Sequence, residues 1–261
     1  MLTTRFVDGA PNWLDVGTSD IAGAVSFYGS LFGWTFRSAG PDAGGYGFFQ
    51  LDGRTVAGGA QITAEQGPPA WTVYFRSGDA QATAKAVEQA HGRVLTPPMD
   101  VMGQGRMAVF ADQAGVRFGI WQPALTKGVD VAGDPGSLCW TELYTADVAA
   151  AAAFYNRSLG LETAAVPFPG GTYTSVNPED GGDESVFGGI VPLAEDPSED
   201  TAYWLPYFEV EDPDAVAAQA ERLGGTVRMA PTTLDGVGRM SKLTDPQGAR
   251  FAIIRSTPPQ E

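Results

Sequence analysis

The sequence predicts an α+β protein made of two copies of one domain, with two β-α-β-β-β units in each copy. Two observations support this: the halves of the chain repeat each other, and each half alternates strand-like and helix-like apolar spacing. The 261 residues are about twice the common domain length of roughly 100–150 residues. We therefore place domain 1 at residues 1–123, a linker at residues 124–137 and domain 2 at residues 138–261.

The repeat is clearest where NWLDVGTSDIAGAVSFYGSLFGWTF, residues 12–36, aligns without gaps on CWTELYTADVAAAAAFYNRSLGLET, residues 139–163. Trp13 then matches Trp140, and Asp15 matches Glu142. Further along, WTVYF from residue 71 matches WLPYF from residue 204, and GRM and the DQAG or DPQG turn also recur. Residues 123–137 are rich in Gly, Pro and small polar residues, which is typical of a linker.

Each half of a copy is predicted to run from a strand through a helix into further strands. The first strand is WLDVG, the following TSD supplies capping side chains, and Gly33 suits a left-handed helix end. The apolar positions expected on one face of this helix are Ile21, Val25, Tyr28, Leu31 and Phe32, and in the second copy Val148, Phe154, Tyr155 and Leu159. A second helix is expected at residues 80–91, with Ala84, Val87 and Ala90 on one face. Strands are expected at residues 46–51, 55–62, 71–76, 93–95, 106–111 and 118–122.

Charge and composition limit the classes of partner. A net charge of −15 disfavours binding to nucleic acid or anionic membranes. The first residues lack the basic start and apolar run of a secretory signal, so a cytoplasmic protein is expected. Cys139, the single cysteine, is expected to be a buried thiol, and His91, the single histidine, to face solvent at a helix end. The acidic stretches at residues 177–183 and 195–200 are expected to be solvated loops.

The four predicted units resemble the vicinal oxygen chelate superfamily, which contains glyoxalases, bleomycin resistance proteins and dioxygenases. The resemblance also rests on the helix ends FYGSLFGW and FYNRSLGL and on the turns in DQAGVRFGIWQ and DPQGARFAIIR, and it covers residues 12–122 and 139–255. It implies curved mixed sheets that form clefts for small ligands. It also implies that the two domains pack as an internal pseudo-dimer, so a monomer or a weak homodimer is expected.

The resemblance further implies positions for the ligands of a divalent metal. Asp15 and Glu142 stand at the first-strand position and carry oxygen donors. The other positions carry Thr72, Leu205, Gly119, Ala252 and the glycine pairs at residues 58–59 and 188–189. Because a catalytic metal normally needs three or more protein ligands, we expect no cofactor. The remaining alternative is a weak magnesium site around Asp15 or Glu142.

Aromatic side chains are the remaining candidates for lining a cleft, since flat organic ligands gain buried area and ring contacts from them. The candidate ligand-binding residues are Trp13, Phe49, Trp71, Tyr74, Trp121, Trp140, Tyr144, Trp204 and Tyr207. Packing in the core is the competing role for each of them. The candidate catalytic residues are Asp15 and Glu142, as general bases, as hydrogen-bond acceptors or as structural carboxylates. Arg106 and Arg239 are candidates to anchor an anion or to pair with Asp112 and Asp245.

Three functions follow, in order of preference. The first is a binding protein that holds a small apolar or aromatic organic molecule, of the sequestration or resistance type. The second is a metal-independent isomerase, lyase or hydroxylase-like enzyme that uses Asp15 or Glu142 as a base. The third is a metal-dependent glyoxalase or dioxygenase. Nucleophile-elbow, phosphate-loop and Cys-x-x-Cys motifs are not found in the sequence, so hydrolase, nucleotide-binding and redox functions lack support.

Overall fold

A computed structural model describes residues 2–168 and 171–257. Met1 and residues 258–261, at the ends of the two predicted domains, lie outside the described residues, as do residues 169–170. No helix in the described part of the chain has the length and apolar character needed to cross a membrane.

The elements follow one another in the order predicted for four β-α-β-β-β units. The helices are α1 (Ile21–Phe32), α2 (Ala80–Gln89), α3 (Val148–Leu159) and α4 (Pro213–Arg222). The strands of the first repeat are β1 (Pro11–Thr18), β2 (Thr35–Ser38), β3 (Gly47–Leu51), β4 (Arg54–Gln61), β5 (Ala70–Arg76), β6 (Arg93–Asp100), β7 (Gly105–Ala111) and β8 (Arg117–Pro123). Those of the second are β9 (Leu138–Thr145), β10 (Leu161–Phe168), β11 (Gly171–Pro178), β12 (Gly188–Pro192), β13 (Tyr203–Glu209), β14 (Thr226–Leu234), β15 (Gly238–Thr244) and β16 (Arg250–Ser256).

Each repeat forms one open mixed sheet of eight strands, which confirms the α+β class. The strand order is β2-β3-β4-β1-β5-β8-β7-β6 in the first sheet and β10-β11-β12-β9-β13-β16-β15-β14 in the second. β1 runs parallel to β4 and β5 parallel to β8, with the same arrangement for β9 with β12 and β13 with β16. The first strand of every unit therefore lies beside the last, and the intervening hairpins lie outside them.

The helix ends confirm the capping prediction. Asp20 accepts a hydrogen bond from the backbone N–H of Gly23 at the start of α1, and Gly33 ends the helix with a φ of 72°. Asp147 and Gly160 play the same roles for α3. Since a residue with positive φ is costly unless it is glycine, the glycine in each FY helix motif fixes where the helix ends.

The buried face of α1 differs from the predicted one. Ala24, Phe27, Tyr28 and Phe32 are buried, whereas Ile21, Val25 and Leu31 are only half-buried. In α3 the buried residues are Ala151, Phe154, Tyr155 and Ser158, and Val148 and Leu159 of the predicted face are half-buried. For α2 the predicted face of Ala84, Val87 and Ala90 is confirmed.

The chain divides into two compact units that do not coincide with the two sequence repeats. Unit 1 consists of Met1–Leu14, Thr72–Gly128 and Trp140–Trp204, and unit 2 of Asp15–Trp71, Val129–Cys139 and Leu205–Glu261. In unit 1, α2 of the first repeat contacts α3 of the second, and in unit 2, α1 contacts α4. Each hydrophobic core is thus built from both halves of the chain.

A hydrogen-bonded relay at the centre of unit 2 explains two of the repeated motifs. Trp71 Nε1 donates to Tyr28 Oη at 2.9 Å, and Tyr28 Oη donates to Asp245 Oδ2 at 3.0 Å. The other oxygen of Asp245 accepts from the backbone N–H groups of Gln247 and Ala249, which shapes the DPQG turn. The FY tyrosine of one repeat is therefore bound to the DPxG aspartate of the other.

Unit 1 contains the matching relay. Trp204 Nε1 donates to Tyr155 Oη at 2.9 Å, and Tyr155 Oη donates to Asp112 Oδ2 at 3.1 Å. Asp112 Oδ1 accepts from the backbone of Ala114 and Val116. Burial and then the charge of Asp112 raise the pKa of Tyr155 well above its usual value, so its hydroxyl keeps the proton that it donates. Buried polar groups with every partner supplied favour one packing over its alternatives.

Several single-residue predictions are decided by the structure. Cys139 is buried and His91 is exposed, as expected. Arg239 does not pair with Asp245 but makes two hydrogen bonds of 2.5 and 2.6 Å to Asp214, because the aspartate of the turn is already taken by Tyr28 and backbone N–H groups. The linker packs against the rest of the protein. Its residues Val129 and Val131 are buried, and Trp34 Nε1 donates a hydrogen bond to the Gly136 carbonyl at 2.8 Å.

Candidate functional site

A buried carboxylate between tyrosines forms the best candidate site, and it lies entirely within unit 1. Glu142 is on β9, the first strand of its repeat, and is 9% exposed. Its Oε1 accepts a hydrogen bond from Tyr173 Oη at 2.8 Å, and its Oε2 accepts one from Tyr144 Oη at 2.8 Å. A buried carboxylate without hydrogen-bond donors would be strongly unfavourable, and these two phenols stabilise it there.

One side of the carboxylate is reached through half-buried aromatic residues. Tyr173, on β11, accepts a hydrogen bond at 3.0 Å from Trp140 Nε1, two residues before Glu142 on the same face of β9. Gly189 pairs with Glu142 across β12 and β9, and a Cβ there would overlap the Tyr173 hydroxyl. The glycine therefore leaves the space through which Tyr173 reaches the carboxylate.

The other side of the carboxylate is closed by a pair of stacked tyrosines. The rings of Tyr144 and Tyr203 are nearly parallel, with centroids 5.1 Å apart and an interplanar angle of 9°. Tyr203 donates from its hydroxyl to Asp196 Oδ2, and Ser198 Oγ donates to Asp196 Oδ1 at 2.7 Å. Asp196 is only 4% exposed, although it belongs to the acidic stretch that was expected to be a solvated loop. That prediction is wrong for Asp196, because Tyr203 and Ser198 supply its hydrogen bonds in place of water.

The phenol of Tyr173 is held in its neutral form. Burial, followed by the negative charge of Glu142, raises the pKa of Tyr173 well above its usual value. At neutral pH its hydroxyl is therefore a proton donor to Glu142, and it does not act as a base. The site presents one carboxylate that already accepts two phenolic hydroxyls, surrounded by four aromatic rings.

The equivalent carboxylate of the first repeat is more open. Asp15 on β1 is half-buried and accepts a hydrogen bond from Tyr46 Oη at 3.2 Å, and a Cβ at Gly58 would overlap that hydroxyl. In the gapless alignment Gly17 stands where the second repeat has Tyr144, and the Ile62 side chain lies against it. Both repeats therefore keep the set of carboxylate, tyrosine and glycine, but only the second adds the stacked tyrosines.

The other predicted ligand-binding residues divide between sheet surfaces and the helix-covered cores. Trp13 and Trp121 stack in unit 1 with ring centroids 6.4 Å apart, and Tyr74 packs over Gly119. Phe49 is fully buried against Tyr28, while Trp71 and Trp204 are the donors of the two core relays. Tyr207 is buried on β13, opposite Ala252. The structure brings only Trp140 and Tyr144 of the predicted aromatic set to Glu142.

Three residues of the Glu142 site were not predicted from the sequence, Tyr173, Tyr203 and Asp196, and neither was Tyr46 beside Asp15. Tyr46 and Tyr173 could have been identified as matching residues of the two repeats, because they are separated by the same number of residues as Trp13 and Trp140. Tyr203 and Asp196 could not have been identified in this way, since the first repeat has Ala70 before Trp71, where the second has Tyr203 before Trp204.

Two surface depressions of the molecule lie away from this carboxylate. One, of about 210 Å³, is in unit 1 beside the start of α3 and includes Asp112 and Asp147. The other, of about 350 Å³, is in unit 2 between the end of α1 and the start of α4. Both lie on the helical side, so neither forms part of the site around Glu142.

Comparison with known families agrees with the architecture. The model of the Glyoxalase/Bleomycin resistance protein/Dioxygenase superfamily matches residues 10–120 and 137–253, which is most of both repeats. The chain belongs to this superfamily. The resemblance drawn from the repeated motifs is thereby confirmed at the level of family and fold.

Relatives of this glyoxalase-superfamily chain include proteins named for anthracycline biosynthesis. The "Anthracycline biosynthesis protein DnrV" of Streptomyces peucetius is 41% identical, over 96% of this chain and 94% of that protein. The "Anthracycline biosynthesis protein DauV" of Streptomyces sp. (strain C5) is 40% identical over the same shares. The crystal structure of the Mn(II)-bound glyoxalase from Novosphingobium aromaticivorans has a TM-score of 0.63 and 14% identity, covering 95% of this chain and 83% of that one. At that identity the last similarity shows the fold alone.

The residues around Glu142 do not fit the metal site that the glyoxalase superfamily implies. The carboxylate has phenolic hydroxyls on both oxygens, and Gly189 faces it on the adjacent strand. Neutral phenols are not among the usual protein ligands of zinc or manganese, which are His, Cys and carboxylate groups. Among residues 2–168 and 171–257, no group of three or more His, Cys, Asp or Glu side chains is arranged to hold a metal ion.

Proposed function

We propose that this glyoxalase-superfamily protein binds a small, planar aromatic molecule that carries phenolic hydroxyl groups, at the Glu142 site. The observation that carries the proposal is the buried Glu142 carboxylate, which accepts two phenolic hydroxyls at 2.8 Å among aromatic rings. A phenol of the ligand can make the same charge-assisted hydrogen bond and the same ring contacts. The names of DnrV and DauV, which refer to anthracycline biosynthesis, support an aromatic ligand.

The two tyrosines have different roles in this proposal. Tyr173 is half-buried, whereas Tyr144 is buried and stacked on Tyr203. The ligand hydroxyl therefore replaces that of Tyr173 on Glu142 Oε1, and Tyr144 keeps its hydrogen bond to Oε2. The protein side chain thus competes with the ligand for one carboxylate oxygen.

This competition leads to a test in which two substitutions have opposite effects. The probe is alizarin, a planar dihydroxyanthraquinone, titrated by isothermal calorimetry at pH 7. Glu142→Gln removes the charged acceptor, which is worth about 1.5–3 kcal/mol, and should weaken affinity roughly 10- to 100-fold. Tyr173→Phe removes the internal competitor and should strengthen affinity several-fold. Asp15→Asn makes the same charge change in the first repeat and should leave affinity within about threefold.

Other results would contradict the proposal. Wild-type protein with no heat of binding up to the solubility limit of alizarin would exclude planar phenols of this kind. Loss of binding in Asp15→Asn, with Glu142→Gln unaffected, would move the site to the first repeat. Weaker binding in Tyr173→Phe would mean that this tyrosine contacts the ligand directly and does not compete with it.

A second candidate function is a metal-independent isomerase, lyase or hydroxylase-like enzyme with Glu142 or Asp15 as general base. A carboxylate in an aromatic pocket is a suitable group for this role. Both oxygens of Glu142 already accept tyrosine hydroxyls, however, and these hydrogen bonds stabilise the carboxylate and make it a weaker base. Glu142→Gln with unchanged binding and turnover reduced by about 10²–10⁴ would favour the enzyme over the binding protein.

A further inference from the structure

We propose that Asp196 is a positioning residue of the Glu142 site and acts through the stacked tyrosines. This proposal rests on the proposed function, because it explains why Tyr144 keeps its place while Tyr173 yields to a ligand. The connection is short: Asp196 binds the Tyr203 hydroxyl, the Tyr203 ring lies on Tyr144, and Tyr144 donates to Glu142.

The burial of Asp196 shows that this contact is more than a surface hydrogen bond. Its carboxylate is 4% exposed in a stretch whose neighbours Glu195 and Pro197 are exposed. Both of its oxygens are engaged, Oδ1 by Ser198 at 2.7 Å and Oδ2 by Tyr203. Its backbone is also fixed, since Asp196 N–H donates to the Leu193 carbonyl at 2.9 Å. A carboxylate removed from water in this way fixes the direction of the hydroxyl that it binds.

The first repeat provides a natural comparison. It retains the first-strand carboxylate, its tyrosine and the facing glycine as Asp15, Tyr46 and Gly58. It lacks both members of the stacked pair, with Gly17 and Ala70 in their places. The stacked tyrosines are thus present or absent together, and the aspartate that orients them occurs in the longer connection of the second repeat. The acidic stretch around Asp196 is therefore part of the site and sets the shape of its closed side.

The experiment combines a ligand measurement with one that needs no ligand. Asp196→Asn keeps the size of the side chain but removes its charge and leaves a single acceptor oxygen for the hydroxyls of Tyr203 and Ser198. Tyr203→Phe keeps the ring and removes the hydroxyl. Each should weaken alizarin affinity about tenfold, the effect of one lost hydrogen bond, and the double variant should be no weaker than either. Glu195→Gln, the same charge change on an exposed neighbour, should leave affinity within twofold.

The measurement without ligand is the near-ultraviolet circular dichroism of the stacked tyrosines. Asp196→Asn should reduce this signal, and Glu195→Gln should retain it. A variant that lowers the unfolding midpoint but keeps both the tyrosine signal and the alizarin affinity would overturn the positioning role and leave Asp196 purely structural. Additive losses in the double variant would also overturn it. If wild-type protein does not bind alizarin while Asp196→Asn still changes the tyrosine signal, the proposed function fails and the positioning of Tyr144 by Asp196 stands.

Discussion

The relay from Trp71 through Tyr28 to Asp245 permits a quantitative prediction about stability. Tyr28→Phe keeps the ring that packs in the core of unit 2 and removes only the hydroxyl. The indole N–H of Trp71 then loses its acceptor in a buried position, and Asp245 loses its side-chain donor. An orphaned buried donor costs about 1–3 kcal/mol, and a hydrogen bond to a charged group is worth about 1.5–3 kcal/mol. Because Asp245 keeps its backbone donors, we expect the lower part of the sum, a loss of about 3 kcal/mol in the free energy of unfolding.

The assay is equilibrium unfolding in urea, followed by far-ultraviolet circular dichroism. Tyr155→Phe is the matched variant, since it breaks the same relay in unit 1 and should cost a similar amount. The two tyrosines share no relay partner, so their losses should add in the double variant. Adding Trp71→Phe to Tyr28→Phe removes the orphaned donor, so the second substitution should cost less there than in the wild-type background.

A loss below about 0.5 kcal/mol for Tyr28→Phe would refute this reasoning, because a typical single hydrogen bond is already worth that much. It would mean that another group or a water molecule takes the place of the hydroxyl. A loss limited to Tyr155→Phe would show that the two relays are not equivalent in energy, despite their matching geometry.

Three further predictions concern Cys139, Gly189 and Asp245. Burial and the nearby negative charge of Glu209 raise the pKa of the Cys139 thiol well above its usual value. Ellman's reagent at pH 8 should therefore react with this thiol only at the rate at which the protein unfolds. Rapid reaction of the folded protein would contradict the burial of Cys139. The methyl group of Gly189→Ala should push the Tyr173 hydroxyl away from Glu142. Ultraviolet absorbance should then show one more tyrosine that titrates near its ordinary pKa. The control Gly171→Ala, where the methyl group meets no other atom, should leave the number of such tyrosines unchanged. Burial raises the pKa of Asp245 in the folded protein above its value in the unfolded chain. At a pH between these two pKa values, folding is accompanied by uptake of a proton. At a pH above both, the charged Asp245 carboxylate lowers the free energy of unfolding. Wild-type stability relative to Asp245→Asn should therefore increase as the pH falls from 7 towards about 4, and a constant difference would contradict the raised pKa.

Much of the fold could be predicted because its signals are local or repeated. Asp20 and Gly33 mark the ends of α1 by capping chemistry that depends only on neighbouring residues. The strand β2 was missed because Thr35–Ser38 is short and mostly exposed, so it lacks an apolar alternation. The buried face of α1 differs from the predicted one because the adjacent residues Phe27 and Tyr28 are both buried. The predicted pattern, with apolar residues spaced by three and four, includes Tyr28 but not its neighbour Phe27.

The candidate site was predictable only in part, and for a physical reason. Glu142 and Trp140 were identified because they recur at matching positions of the two repeats. Tyr203 and Asp196 belong to contacts that arise once, between a strand end and an acidic connection, and charge patterning alone predicts such a connection to be solvated. Trp71 and Trp204 also occupy matching positions of the two repeats, but they donate hydrogen bonds in the core relays. Their recurrence could not show this, because it does not indicate which face of the sheet a residue lies on.

The composition of the two compact units bears on how the chain could be cut or could have arisen. Each unit needs the FY helix of one repeat and the DxxG turn of the other, as in the bond between Tyr28 and Asp245. A polypeptide ending near residue 123 would hold half of each core and could complete neither alone. Two such fragments, one from each repeat, should reassemble when mixed, and a single repeat should persist only as a pair of identical chains. Residues 124–137 join the two repeats covalently, so the pairing of their elements is intramolecular in this chain.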